Sequence, residues 1–173
     1  ACTLLNIISS TQATCETPAH AAGVVSIVFT NSDGQSGSLT NGYTYQAAPT
    51  YSSISPVAGP LGGGTAITIT GTGFQPGATA QLGGTTCTVT LVTPTQVFCN
   101  SGVHAAGVVT ATVTNPDGQS VSQAGAYTYQ PAPSITSVSP TGGPLAGGNT
   151  LTLVGTNFTA APSIEVGGQP CGT

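Results

Sequence analysis

Segments 84 positions apart recur along this 173-residue chain, so a stretch and its counterpart are expected to adopt the same local structure. HAAGVV at 20–25 returns at 104–109, NSDGQS at 31–36 returns as NPDGQS at 115–120, and YTYQ at 43–46 returns at 127–130. SPVAGPLGGGT at 55–65 becomes SPTGGPLAGGN at 139–149, and GTGF at 71–74 becomes GTNF at 155–158. The expected organisation is the back of one repeat over 1–46, a complete repeat over 47–130 and the front of a third over 131–173. Two arrangements are compatible with such a chain. It is an excerpt of a longer tandem array, or a protomer whose front half joins the back half of the next copy in a head-to-tail, filament-forming contact.

Short runs rich in Thr, Val and Ile alternate within each repeat and are punctuated by Gly and Pro, which predicts the strands of an all-β sandwich; no helical period appears. Thr65-Ala66-Ile67-Thr68-Ile69-Thr70 places both isoleucines on one face and threonines on the other. Thr110-Ala111-Thr112-Val113-Thr114 alternates likewise, and its counterpart Ser26-Ile27-Val28-Phe29-Thr30 is more apolar. Asn115-Pro116-Asp117-Gly118 is a turn sequence, leading to a strand that ends in Tyr127 and Tyr129. Gly59-Pro60-Leu61-Gly62-Gly63-Gly64 lacks the lysine of a phosphate loop and precedes no helix, so it is read as a tight loop between the first two strands. Phe74 and Phe158 are expected in the core.

The five cysteines follow the repeat and form no Cys-x-x-Cys pair. Cys87 and Cys99 flank the turn candidate Thr93-Pro94-Thr95, which predicts that they face each other across a hairpin and form a disulfide. Cys2 and Cys15 hold the corresponding places with one extra residue between them, and Cys171 matches Cys87, its mate being expected beyond the last residue. Disulfides place the protein outside the cytosol, whereas reduced, buried thiols are the alternative.

No lysine or arginine is present; Glu16, Asp33, Asp117 and Glu165 give a formal net charge of -4. That argues against nucleic-acid partners, polybasic membrane attraction and any mechanism built on a lysine or arginine. No apolar run approaches the ~18 residues of a membrane span, so no membrane insertion is expected. Ala1-Cys2-Thr3-Leu4-Leu5 has no basic region and no long apolar run, so no signal peptide is read in this chain, and secretion would imply a leader upstream. His20 and His104 occupy the same repeat position, a whole repeat apart, and are read as surface-loop histidines. No serine sits in a G-x-S-x-G elbow, and the carboxylates are dispersed. Asp33 and Asp117 each lie in an Asp-Gly turn that explains them without calcium. The expectation is a protein without catalytic residues, metal or cofactor, with Asn157-Phe158-Thr159 as a candidate N-glycosylation sequon.

Taken together, several segments resemble the IPT/TIG family of immunoglobulin-like domains. They are Pro49-Thr50-Tyr51-Ser52-Ser53-Ile54-Ser55-Pro56, the Gly59-Pro60 and Gly63-Gly64-Thr65 loop, Gly71-Thr72-Gly73-Phe74, Gly83-Gly84 before Cys87, then Cys99, and Tyr127-Thr128-Tyr129. The resemblance covers the whole chain and implies immunoglobulin-like β-sandwich repeats in tandem. Such domains serve in bacterial surface proteins, receptor ectodomains, starch-active enzymes and DNA-binding transcription factors, so the resemblance leaves function open.

The expected function is an extracellular or cell-surface structural protein, a filament, stalk or adhesin shaft. The linkers Gln46-Ala47-Ala48-Pro49 and Gln130-Pro131-Ala132-Pro133 are short and stiffened by proline, and trypsin-like proteases find no site to cut. The expected partners are copies of itself, head to tail or in a longer array, with lateral association between low-charge surfaces. The alternative is a binding or spacer module recognising glycan or protein, for which Tyr43, Tyr51 and Tyr127 are the candidate exposed aromatics. A hydrolase has no support beyond family association.

Overall fold

A computed structural model describes residues 3–160 and 162–171. The chain divides into two compact units, Ala1–Pro49 and Thr50–Thr173. All its regular elements among the described residues are strands.

The first unit holds two antiparallel hairpins, β1 (Thr3–Ser9) with β2 (Gln12–Glu16) and β3 (Gly23–Thr30) with β4 (Ser36–Tyr45). Its apolar side chains face solvent: Leu4, Leu5, Ile7, Ile27 and Phe29 are all exposed.

The second unit contains the complete repeat. Its strands are β5 (Thr50–Ser55), β6 (Ala58–Pro60), β7 (Ala66–Thr72), β8 (Thr79–Leu82), β9 (Thr85–Thr93), β10 (Gln96–Asn100), β11 (Gly107–Thr114) and β12 (Ser120–Gln130). They form one curled sheet in the order β5-β7-β10-β9-β8-β11-β12-β6, whose two flanks fold over a common core. β9 turns the corner, pairing with β10 through 88–93 and with β8 through 85–87. The fold is the expected immunoglobulin-like sandwich. Alternation places Ile67 and Ile69 inside from β7, Ala80 and Leu82 from β8, and Ala111 and Val113 from β11. The loop at 59–64 is more than a tight turn: its first residues form β6, which runs parallel to β12 with Gly59 opposite Tyr129.

Three strand pairings join the front half of the repeat to the back half. β7 pairs with β10, β8 with β11, and β6 with β12. Asn115 adds a polar tie across the same seam. Its side chain is buried, its Nδ2 donates to the Gly73 carbonyl at 2.8 Å, and its Oδ1 accepts from the Gln75 amide at 3.1 Å. Removing such a group takes the partner from the Gly73 carbonyl and the Gln75 amide at a part-buried seam. Asn115→Ala is expected to cost about 1–3 kcal/mol, read from denaturant unfolding; an unchanged midpoint would contradict this role.

The rest of the second unit repeats the front half. β13 (Ser134–Ser139) pairs with β14 (Thr152–Thr156), and β15 (Glu165–Val166) with β16 (Gln169–Pro170). Phe158, expected in the core, is half exposed, whereas its counterpart Phe74 is buried. Residues of the back half flank Phe74: its amide donates to the Pro94 carbonyl at 3.2 Å, and Asn115 donates to the adjacent Gly73 carbonyl.

Candidate functional site

Tyr127 and Tyr129 are two residues apart on β12 and therefore turn to the same, inward side. Both are fully buried, and their rings meet edge to face with centroids 5.0 Å apart. His104, in the loop before β11, stacks on Tyr129 at 4.8 Å, and its Nδ1 lies 2.8 Å from the Ala105 carbonyl. The Tyr129 hydroxyl donates to the Gly102 carbonyl at 3.0 Å. The first unit repeats the group: His20 stacks on Tyr45 at 4.9 Å, and Tyr45 donates to the Pro18 carbonyl at 2.8 Å.

Two expectations are corrected here. His104 does lie in a loop, but half-buried against an aromatic ring. Tyr127 presents no ring to a sugar, because β12 carries it into the core, where its hydroxyl lies against Gly59 and Thr65 and makes no hydrogen bond among the described residues. A readable signal existed for this cluster, since the histidine and the Tyr-x-Tyr pair recur together 84 residues apart.

The other two tyrosine candidates keep surface. Tyr51 is partly exposed and lines a groove of about 480 Å³ between β5 and β12, with Ser52, Ser53, Val57 and Gln123. Partial burial raises its phenol above the ordinary tyrosine range. Tyr43 is 40% exposed in the first unit. Burial, followed by the neighbouring Tyr127, raises Tyr129 as well.

Asp117 sits in the turn after β11, where its carboxylate accepts from the Gln119 amide at 2.9 Å and from the Gln75 side chain. The Gln119 amide, then Gln75, hold its carboxyl below the ordinary range. A lowered carboxylate contributes stability above its unfolded value of about 4 and loses it as the pH falls through the folded value, whereas the raised Tyr51 and Tyr129 contribute below about pH 10 and lose it above. Denaturant midpoints are therefore expected to decline on the acid side of pH 4 and the alkaline side of pH 10. Asp117→Asn should flatten the acid limb; an unaltered limb would exclude Asp117 as a source.

Cys87 and Cys99 form a disulfide with Cα atoms 5.5 Å apart. They are not opposite each other in the hairpin. Cys99 registers with Val89 because the pairing shifts between Phe98 and Cys99, while Cys87 registers with Ala80 on β8. The bond thus ties the corner strand to β10. Of the corresponding pair, Cys15 lies on β2 and Cys2 lies outside the described residues. Cys171 is exposed with a free thiol. Asn157 is exposed in a left-handed conformation (φ 59°), its Nδ2 donating to the Ala132 carbonyl at 3.2 Å. Among the described residues no three His, Cys, Asp or Glu side chains gather as metal ligands, and no helix is long and apolar enough to cross a membrane.

The chain is 29% identical to mouse (Mus musculus) fibrocystin-L over 175 residues, covering 95% of this chain and 4% of that protein. It is also 29% identical to human (Homo sapiens) fibrocystin-L over 113 residues, 65% of this chain and 3% of the relative. The chain thus spans a small fraction of these relatives' length. The solved extracellular region of plexin A4 matches its fold with a TM-score of 0.53 at 23% identity, over 74% of this chain and 11% of that one. The IPT/TIG domain family model matches residues 1–46, 49–129 and 133–173. With nearly every residue inside one of these three matches, the chain belongs to the IPT/TIG domain family.

Proposed function

We propose that this chain is part of an extracellular or cell-surface structural protein, a shaft or filament built of IPT/TIG sandwiches in tandem, with copies of itself as its partners. The observation that carries the reading is repetition without chemistry: the same strands, turns and His–Tyr cluster recur at one spacing, and the conspicuous side chains are spent on packing. The proposed boundaries are 1–46, 47–130 and 131–173. The Cys87–Cys99 bond fits an oxidising compartment, and a Cys2–Cys15 bond is proposed for the first repeat. Asn157, in the third repeat, is the proposed glycan acceptor. No catalysis, metal, cofactor, nucleic acid or membrane insertion forms part of the reading. Small-angle scattering of arrays with increasing repeat number tests it. The longest dimension should grow in proportion to repeat number, and arrays that collapse to a constant compact size would refute a shaft.

The groove beside Tyr51 favours a second reading, a module that recognises a glycan through one aromatic ring among serine and glutamine side chains. Saturable binding on a glycan array, abolished by Tyr51→Ala, would establish it in place of the shaft.

A further inference from the structure

We infer that Asn41 and Gly42 form a self-modifying site, at which the native chain converts the Asn41 amide into a carboxylate through a cyclic imide. The chain has seven asparagines, and Asn41 alone precedes a glycine. A glycine has no side chain to shield its own amide nitrogen, the atom that must reach Cγ of the asparagine. β4 is irregular at this point: Tyr43 registers with Val25 and Leu39 with Ile27, so residues 40–42 bulge opposite Ser26 alone. Asn41 sits there in the left-handed conformation that asparagine tolerates, φ 55°. Its backbone amide donates to the Ser26 hydroxyl at 3.3 Å, while its side-chain amide makes no hydrogen bond among the described residues. Other asparagines are held. The side-chain amides of Asn115, Asn149 and Asn157 donate to the Gly73, Gly142 and Ala132 carbonyls at 2.8, 3.2 and 3.2 Å.

The same geometry occurs in the complete repeat, where the counterparts are Gly125 and Ala126. Gly125 is exposed and left-handed, φ 68°, in a matching bulge of β12, with Tyr127 registering with Val109 and Gln123 with Ala111. Position 41 is therefore one that faces solvent in a closed sandwich too. In the reaction, the Gly42 amide nitrogen bonds to Asn41 Cγ and the side-chain nitrogen leaves as ammonia, taking up through solvent the proton that Gly42 gives up. Water then opens the ring. Attack at Cγ restores the ordinary backbone and gives aspartate; attack at the main-chain carbonyl gives isoaspartate, whose backbone runs through Cβ and Cγ. Either route consumes one water, releases one ammonia and adds one negative charge to a chain of formal net charge -4 that has no lysine or arginine to offset it. The bulge accommodates the lengthened backbone, because no ladder register is held across it. None of this depends on the shaft reading.

The test uses the full chain and two variants, Asn41→Gly and Gly42→Ala, each installing the residue that the complete repeat carries there. In Gly42→Ala the new Cβ meets the Leu39 side chain 2.8 Å away, which is exposed and has room to turn aside. All three are incubated natively in mildly alkaline buffer, digested and mapped by mass spectrometry, with the thermal transition of the complete repeat as the folding control. In the unaltered chain the peptide holding residue 41 should gain about 1 Da and split into aspartate and isoaspartate forms. Asn41→Gly should gain nothing there, and Gly42→Ala should slow the gain roughly tenfold or more. A native chain that stays unchanged at residue 41 while a synthetic peptide of residues 36–45 converts would overturn the inference, since the fold would then hold the amide inert. So would a Gly42→Ala rate equal to that of the unaltered chain, or a gain spread evenly over Asn6, Asn31 and Asn100.

Discussion

Replacing Cys87 and Cys99 together by alanine is expected to lower the stability of the complete repeat by about 3 kcal/mol, through release of the loop the bond closes in the unfolded chain. For a domain of this size that corresponds to a melting point lower by roughly 12–24 °C. The sequence separation is only 12, but the bond ties β10 to the strand where the sheet turns its corner. Small domains bury a modest share of their surface, so one cross-link is a large part of the net stability. Calorimetry of the unaltered chain in reductant should reproduce the variant's shift. A variant melting within two or three degrees of the oxidised protein would show that β-pairing alone holds the corner.

Tyr129→Ala is expected to cost about 3–5 kcal/mol, a large share of the net stability of a small domain. The ring is 1% exposed, supports His104 on one side and Tyr127 on the other, and its hydroxyl satisfies the Gly102 carbonyl. The same change at Tyr45 should leave that transition unmoved. Tyr45 makes the equivalent contacts with His20 and Pro18, but in a unit whose apolar side chains face solvent. Unfolding curves of the two variants decide the matter. Equal losses would mean that the chain unfolds as one cooperative body and that burial in the complete repeat is not the source.

Strand positions, inward faces and the turn at Asn115 were legible because each depends on local alternation and turn chemistry, as Ile67, Ile69 and Val113 show. The fate of Phe158 was not. Its sequence context matches that of Phe74, and only the residues packed around a phenylalanine decide whether it is core. The cysteine register was hidden for a related reason: spacing counts residues, whereas the shift between Phe98 and Cys99 is set by the sheet's need to bend at β9. Tyr127 was misread because a Tyr-x-Tyr strand end gives no sign of which face meets the opposite flank. His104 was misread because a loop position says nothing of the ring beneath it. The groove at Tyr51 joins β5 to β12, far apart in sequence, and only the closed fold brings them together.

Electron microscopy of the native material, with and without reductant, tests the structural role most directly. β12 runs 11 residues along the sandwich, so the account predicts rods or filaments with an axial spacing of roughly 35–40 Å or twice that. Isolated compact particles, with no axial period under either condition, would contradict it.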